Sequence, residues 1–185
     1  IRDSNQILID LTNTLIELTR ATEKGKDLVA TETINVFSFA GGIVKIFERL
    51  FSEKKITFVF ACTDANKQLS VKADKPRLEF AITALLKNAL MYTPEGGRVE
   101  LDLLRDGNRV EISVGDNGIG IASEEMKNVF DEFHRGTDAV AMNTEGLGAD
   151  LFLTKSVIER LGGRIRVFSE GKGKGSRFTL SHPKI

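Results

Sequence analysis

The run "RVELDLLRDGNRVEISVGD", residues 98–116, constrains the fold more than any other stretch of the chain. Apolar and polar residues alternate on both sides of Asp106-Gly107-Asn108, the pattern of two half-buried strands joined by a tight turn. Such a hairpin needs a cover for its apolar face, and the flanking sequence offers helices. Leu78, Ile82, Leu85, Leu86 and Ala89 share one face of a helix predicted over Leu78 to Tyr92, which Pro94 in "TPEGG" stops. A second helix is expected over Phe37 to Phe51. A third runs from about Ala149 to Leu161 and ends at Gly162-Gly163. The strand-like runs "ITFVF" and "LSVKA", joined by a polar connection, precede the hairpin, and "RIRVF" and "SRFTL" follow it around the turn "EGKGKG". Helices intervene, but hairpins dominate the pairing. The predicted class is α/β, a two-layer sandwich of helices on a mixed, mostly antiparallel sheet, rather than a doubly wound fold.

Ahead of this region, Leu8, Leu11, Leu15 and Leu18 alternate at spacings of three and four, a narrow apolar seam of coiled-coil or bundle type that ends near Gly25. A lone helix cannot bury such a seam. Pairing with a second copy or with further sequence is expected, packing on its own domain being the alternative. Residues 1–28 are therefore set apart from a domain over 31–185. The first residue is Ile1 rather than methionine, so the chain reads as a cytoplasmic fragment of something longer.

The 26 Lys and Arg balance the 26 Asp and Glu, so net charge points to neither nucleic acid nor an anionic membrane as partner. No run approaches the ~18 apolar residues of a membrane span, and no signal peptide is visible. The lone cysteine, Cys62, excludes an intrachain disulfide and a cysteine-based zinc site and reads as a half-buried filler. No GxxxxGK[ST] motif exists, which excludes a P-loop.

Four stretches carry chemistry together: "LLKNALMYTP" (85–94), "DNGIGI" (116–121), "FDEFHRG" (130–136) and "EGLGADL" (145–151). Alone, each has a plain reading as a turn, a helix entry or a surface helix residue; their order and spacing are more specific. The strand through Val114 delivers Asp116 to a sheet edge, where a carboxylate can accept from an exocyclic amine such as that of adenine. Gly118 and Gly120 let backbone approach a base without a Cβ in the way. Gly146 and Gly148 free N–H groups beside a helix N-terminus, where amides and the helix dipole favour phosphate. Asn88 offers a side-chain oxygen to Mg²⁺, a hard ion that prefers oxygen ligands and bridges phosphates.

This set resembles the N, G1, F and G2 boxes of the GHKL ATPase superfamily, and the F box points to the catalytic domain of sensor histidine kinases. The resemblance spans about residues 31–185. It implies a Bergerat-type fold binding ATP and Mg²⁺, with Asn88 on the metal and Tyr92 packed near the nucleotide. Asp116 would read adenine in a pocket shaped by Gly118 and Gly120, and Gly146, Leu147 and Gly148 would lie at the triphosphate. Phe130 and Phe133 would anchor a lid of about 136–145. Arg135 is a candidate lid-side phosphate contact, a solvated surface arginine being the alternative. The leading helix resembles the later part of the second dimerisation helix of those kinases. Implied partners are the kinase's own dimerisation and phosphoacceptor domain, a response regulator and, in the parent, a second copy in a homodimer. No nucleic-acid or membrane contact is expected of this fragment, although the parent can be membrane-anchored.

Three positions depart from the family pattern. Asp150 stands where a third glycine is usual. A side chain there clashes if positive φ is needed, and its charge opposes phosphate: at an effective dielectric of ~20, two charges ~4 Å apart interact by roughly 4 kcal/mol. The kinder reading is a helix N-terminal acid facing solvent. Ala84 and Met91 share the Asn88 face (i, i+4, i+7) where the family commonly has a polar and a basic residue; Lys87 points about 100° away. Reduced activity, or a degenerate module that transmits signals without catalysis, is the alternative these residues raise. A different GHKL ATPase, of mismatch-repair or chaperone type, is disfavoured by the F box. Neither His134, read as a lid-base residue, nor His182, read as structural, lies in a phosphoacceptor setting. No catalytic residue is assigned, and the fragment is not expected to label itself.

Overall fold

A computed structural model describes residues 31–142 and 148–185. The seam of Leu8, Leu11, Leu15 and Leu18, and the site candidates Gly146 and Leu147, lie outside the described residues.

The elements run β1 (Glu32–Asn35), α1 (Val36–Glu53), β2 (Thr57–Cys62), β3 (Ser70–Ala73), α2 (Lys75–Tyr92), β4 (Arg98–Asp106), β5 (Arg109–Asp116), α3 (Thr137–Met142), α4 (Asp150–Arg160), β6 (Arg164–Phe168) and β7 (Ser176–Pro183). Five strands form one sheet in the order β2-β4-β5-β7-β6. Only β2 and β4 are parallel, as strands joined through a helix-containing crossover can be; the other pairs are antiparallel. The predicted hairpin is the centre of this sheet, with Leu101 opposite Val114 and Leu103 opposite Ile112. The mixed, mostly antiparallel two-layer sandwich is thus the observed fold.

Alternation decides the layers. Val99, Leu101 and Leu103 of β4, Val110, Ile112 and Val114 of β5, and Phe178 and Leu180 of β7 turn into a core shared with the helices. Leu78, Ile82, Leu85 and Leu86 of α2 are almost fully buried there, each such side chain contributing about 1.5–3 kcal/mol of transfer free energy. Rings dock α1 onto the edge strand: Phe51 stacks on Phe58 at 4.8 Å between centroids and Phe37 on Phe60 at 5.4 Å. The other sheet face is polar and crossed by pairs such as Arg166–Glu111 at 2.8 Å and Ser113–Thr179 at 2.9 Å.

Local differences from the sequence reading have local causes. Helix α2 starts at Lys75, not Leu78, because the Asp74 side chain accepts from the Arg77 N–H at 2.9 Å and Pro76 sits in the first turn. Helix α1 likewise runs beyond Phe37–Phe51, with Asn35 accepting from the Ser38 N–H at 2.9 Å. Strand β1 and the short α3 were not anticipated. The run "LSVKA" yields β3, which leaves the main sheet to pair with β1 in a separate two-stranded ribbon.

Candidate functional site

Strand β5 carries Asp116 to the rim of the sheet, where its two oxygens are held apart by different partners. Oδ1 accepts from the Gly118 N–H at 2.8 Å and Oδ2 from the Ser176 hydroxyl at 2.6 Å. Burial pushes the Asp116 carboxyl above its usual range, and these hydrogen bonds oppose the shift without cancelling it. The result is a fixed, poorly hydrated acceptor whose remaining lone pairs can be satisfied by a ligand donor.

The loop after Asp116 is clamped from two sides. The Ile119 N–H donates to the Tyr92 carbonyl at 3.1 Å, fastening the loop to the end of α2. On the other side the turn 169–175 closes over it: the Gly173 N–H donates to the Ile119 carbonyl at 2.6 Å, and the Ile121 N–H to the Ser169 hydroxyl at 3.0 Å. A Cβ at Gly118 would collide with the Tyr92 carbonyl, and one at Gly120, whose φ is +68°, with the Gly171 carbonyl. Both glycines are required by these backbone approaches. The Tyr92 carbonyl thus meets the loop after Asp116 at Gly118 and Ile119.

Asn88 is half-buried on α2, and among the described residues nothing hydrogen-bonds its side chain. Ala84, one turn earlier on the same face, is 5% exposed, and Met91 is half-buried; neither adds charge to this face. Helix α2 packs along α4, whose N-terminus follows Gly148. The backbone at Gly148 has φ +71°, and a Cβ there would strike Phe133, the His134 carbonyl and the Arg135 side chain. The F-box and G2-like stretches are thereby brought into contact. The Arg135 guanidinium donates to the Ala139 carbonyl of α3 at 3.2 Å, so it belongs to the base of the 136–142 segment.

The steric concern over Asp150 is removed. Positive φ falls at Gly148, while Asp150 is helical and exposed in the first turn of α4; its charge is favourable to that helix end. Phe130 packs edge-on against Phe178 at 6.3 Å, whereas the Phe133 ring is 58% exposed on a residue with φ +59°. His134 lies half-buried. His182 is buried on β7 with Nδ1 3.0 Å from the Pro183 carbonyl oxygen, and Cys62 is half-buried on edge strand β2.

Sequence reasoning missed Ser176, the hydroxyl that orients Asp116, and missed that "EGKGKG" is a wall of the site rather than a plain turn. Its glycine spacing was the available signal. A cavity of about 360 Å³ is lined by Gly115, Asp116, Phe168, Ser176 and Arg177 among others. Among the described residues no three His, Cys, Asp or Glu converge to hold a metal ion, and no helix is long and apolar enough to cross a membrane.

Helices layered on one face of a mixed sheet, with a half-buried carboxylate at the rim of a central strand and glycine loops about it, define a Bergerat-type ATPase domain. Residues 73–185 match the family model described as histidine kinase-, DNA gyrase B-, and HSP90-like ATPase, and the chain belongs to that family. It is 42% identical over 123 residues to the sensor-like histidine kinase SenX3 of Mycobacterium tuberculosis, an alignment covering 66% of this chain and 30% of SenX3. The nucleotide-free catalytic domain of histidine kinase ThkA superposes with a TM-score of 0.72 at 26% identity, over 83% of this chain and 95% of that one. Two structures share the fold at 24% identity: full-length ShkA in complex with AMPPNP, with a TM-score of 0.82 over 99% of this chain and 37% of that one, and ThkA in complex with response regulator protein TrrA, with 0.73 over 98% and 50%.

Proposed function

We propose that this chain is the ATP-binding catalytic module of a sensor histidine kinase. It would present Mg·ATP to a histidine on the parent's dimerisation helix, for relay to a response regulator. The observation that carries the reading is Asp116, an acceptor fixed by Ser176 and Gly118 and enclosed by two glycines that admit no Cβ. A carboxylate so placed accepts from the adenine amino group, and neighbouring backbone encloses the ring.

The remaining roles are those the sequence motifs suggest. Gly148, with Gly146 and Leu147, would bring backbone N–H groups to the phosphates at the N-terminus of α4, and Arg135 would add a cation from the lid side. Asn88 fits a metal ligand, being half-buried, unpartnered among the described residues and able to offer a neutral oxygen. When bound, Mg²⁺ would neutralise phosphate charge. The protein's part is positioning and electrostatic stabilisation: an imidazole nitrogen attacks the γ-phosphorus, the bond from γ-phosphorus to the bridging oxygen breaks, and ADP leaves with the electron pair. The SenX3 identity and the ThkA fold support the kinase assignment. The ShkA–AMPPNP and ThkA–TrrA structures support ATP as ligand and a response regulator as partner. A homodimeric parent and a cytoplasmic location accord with this reading.

A second reading, a module that keeps the fold but not catalysis, is favoured by Ala84 and Met91, which leave the Asn88 face without a charged group. Radiolabelled ATP offered to this chain with a purified dimerisation-helix substrate decides between them. Label transfer to histidine supports the kinase; saturable nucleotide binding without transfer supports the second reading.

A further inference from the structure

We propose that Lys172 is a positioning residue for the phosphate side of the nucleotide site: it ties helix α3 to the turn that walls the base side. The inference rests on the nucleotide reading above and adds a residue outside the four stretches 85–94, 116–121, 130–136 and 145–151.

The turn 169–175 has two working sides. One is the clamp on the loop after Asp116, where Gly173 and Gly175 donate to the Ile119 and Gly118 carbonyls at 2.6 and 3.1 Å. From the other, the Lys172 ammonium reaches the Asp138 carboxylate in the first turn of α3 at 2.8 Å. A second tether holds the same end of α3: Glu125 Oε1 accepts from the Thr137 N–H at 2.9 Å and from its hydroxyl at 3.2 Å. Two carboxylates from separate segments thus meet at one helix end, and Lys172 is the cation set against them. Asp138 foremost, with Glu125 and Glu124 behind it, holds the ammonium above its ordinary range. Without Lys172 these acids repel one another and the end of α3 loses its tie to the base wall.

The consequence reaches the phosphates through Arg135. Its guanidinium donates to the Ala139 carbonyl of α3, so the placement of α3 sets the placement of that arginine. Lys172 fixes α3, α3 helps to fix Arg135, and Arg135 is the cation that the nucleotide reading sets against the phosphates. Adenosine, which has no phosphate, is indifferent to this chain of contacts.

The test is calorimetric titration of the chain and its Lys172→Ala, Asp138→Ala and Lys172→Arg variants, with Mg·ATP and separately with adenosine. An exposed pair of this kind predicts a roughly two- to fivefold weaker ATP affinity in each alanine variant. The difference should shrink at high salt, Lys172→Arg should restore it, and adenosine affinity should not move. Unchanged ATP affinity in the alanine variants, or equal weakening of ATP and adenosine, overturns the proposal and leaves the nucleotide reading standing. Failure of the unaltered chain to bind adenosine or ATP overturns both.

Discussion

Burial and the proposed recognition role pull on Asp116 in opposite directions. The carboxylate is costly to keep charged where it is, which is why its pKa is raised, yet a charged acceptor is what an exocyclic amine selects. Because the folded pKa exceeds the unfolded one, the native state binds a proton more readily, and this group favours folding least above both values. Asp116→Asn should therefore fold at least as stably as the parent at neutral pH. Its advantage should shrink as pH falls through the raised pKa toward the ordinary aspartate value, as paired thermal denaturation curves across that window will show. Asp150 is the opposite case, an exposed charge favourable to its helix. Asp150→Gly should lower stability by about 1–2 kcal/mol, from glycine's helix cost and the lost dipole interaction, while raising ATP affinity by up to about tenfold. Denaturant titration and calorimetry read the two effects separately.

Element boundaries show what the sequence carried and what it could not. The hairpin of β4 and β5 was legible because both strands alternate around a glycine turn, and the face of α2 because its apolar residues recur at helical spacing. Its start was misplaced although Asp74 and Pro76 mark it. Asp74→Ala should remove that cap and cost about 1 kcal/mol, measured as a lower denaturation midpoint. Strand β1 was invisible because four residues, "ETIN", have no alternation of their own and are strands only through pairing with β3. The turn 169–175 was legible as a turn but not as a wall, since its partners are the carbonyls of Gly118 and Ile119 far away in sequence. Gly120→Ala tests that wall. A left-handed residue costs roughly 1–2 kcal/mol, and the Cβ must also displace Gly171, so both the melting temperature and adenosine affinity should drop.

At the scale of the whole molecule, the hairpin and helix patterning, with the resemblance carried by four ordered motifs, was enough to predict the layered fold. The assembly of the candidate site was not predictable, because its contacts join distant segments: Asp116 with Ser176, Gly148 with Phe133 and His134, and Asp138 with Lys172. None of these pairs has a periodic signature. The parallel pairing of β2 with β4 is likewise a product of the crossover through α2 rather than of either strand's pattern. One two-layer α/β domain thus carries Asp116 on the sheet rim, the N-terminus of α4 after Gly148, and a short helix tied to the turn 169–175 through Asp138 and Lys172.

Titration of this chain and its Asp116→Asn variant with Mg·ATP tests the central claim most directly. The account predicts saturable binding to the parent chain and a roughly 10- to 100-fold loss in the variant, the worth of one hydrogen bond to a charged group, with the fold intact. Equal affinity in the two proteins, or no binding to either, would contradict it.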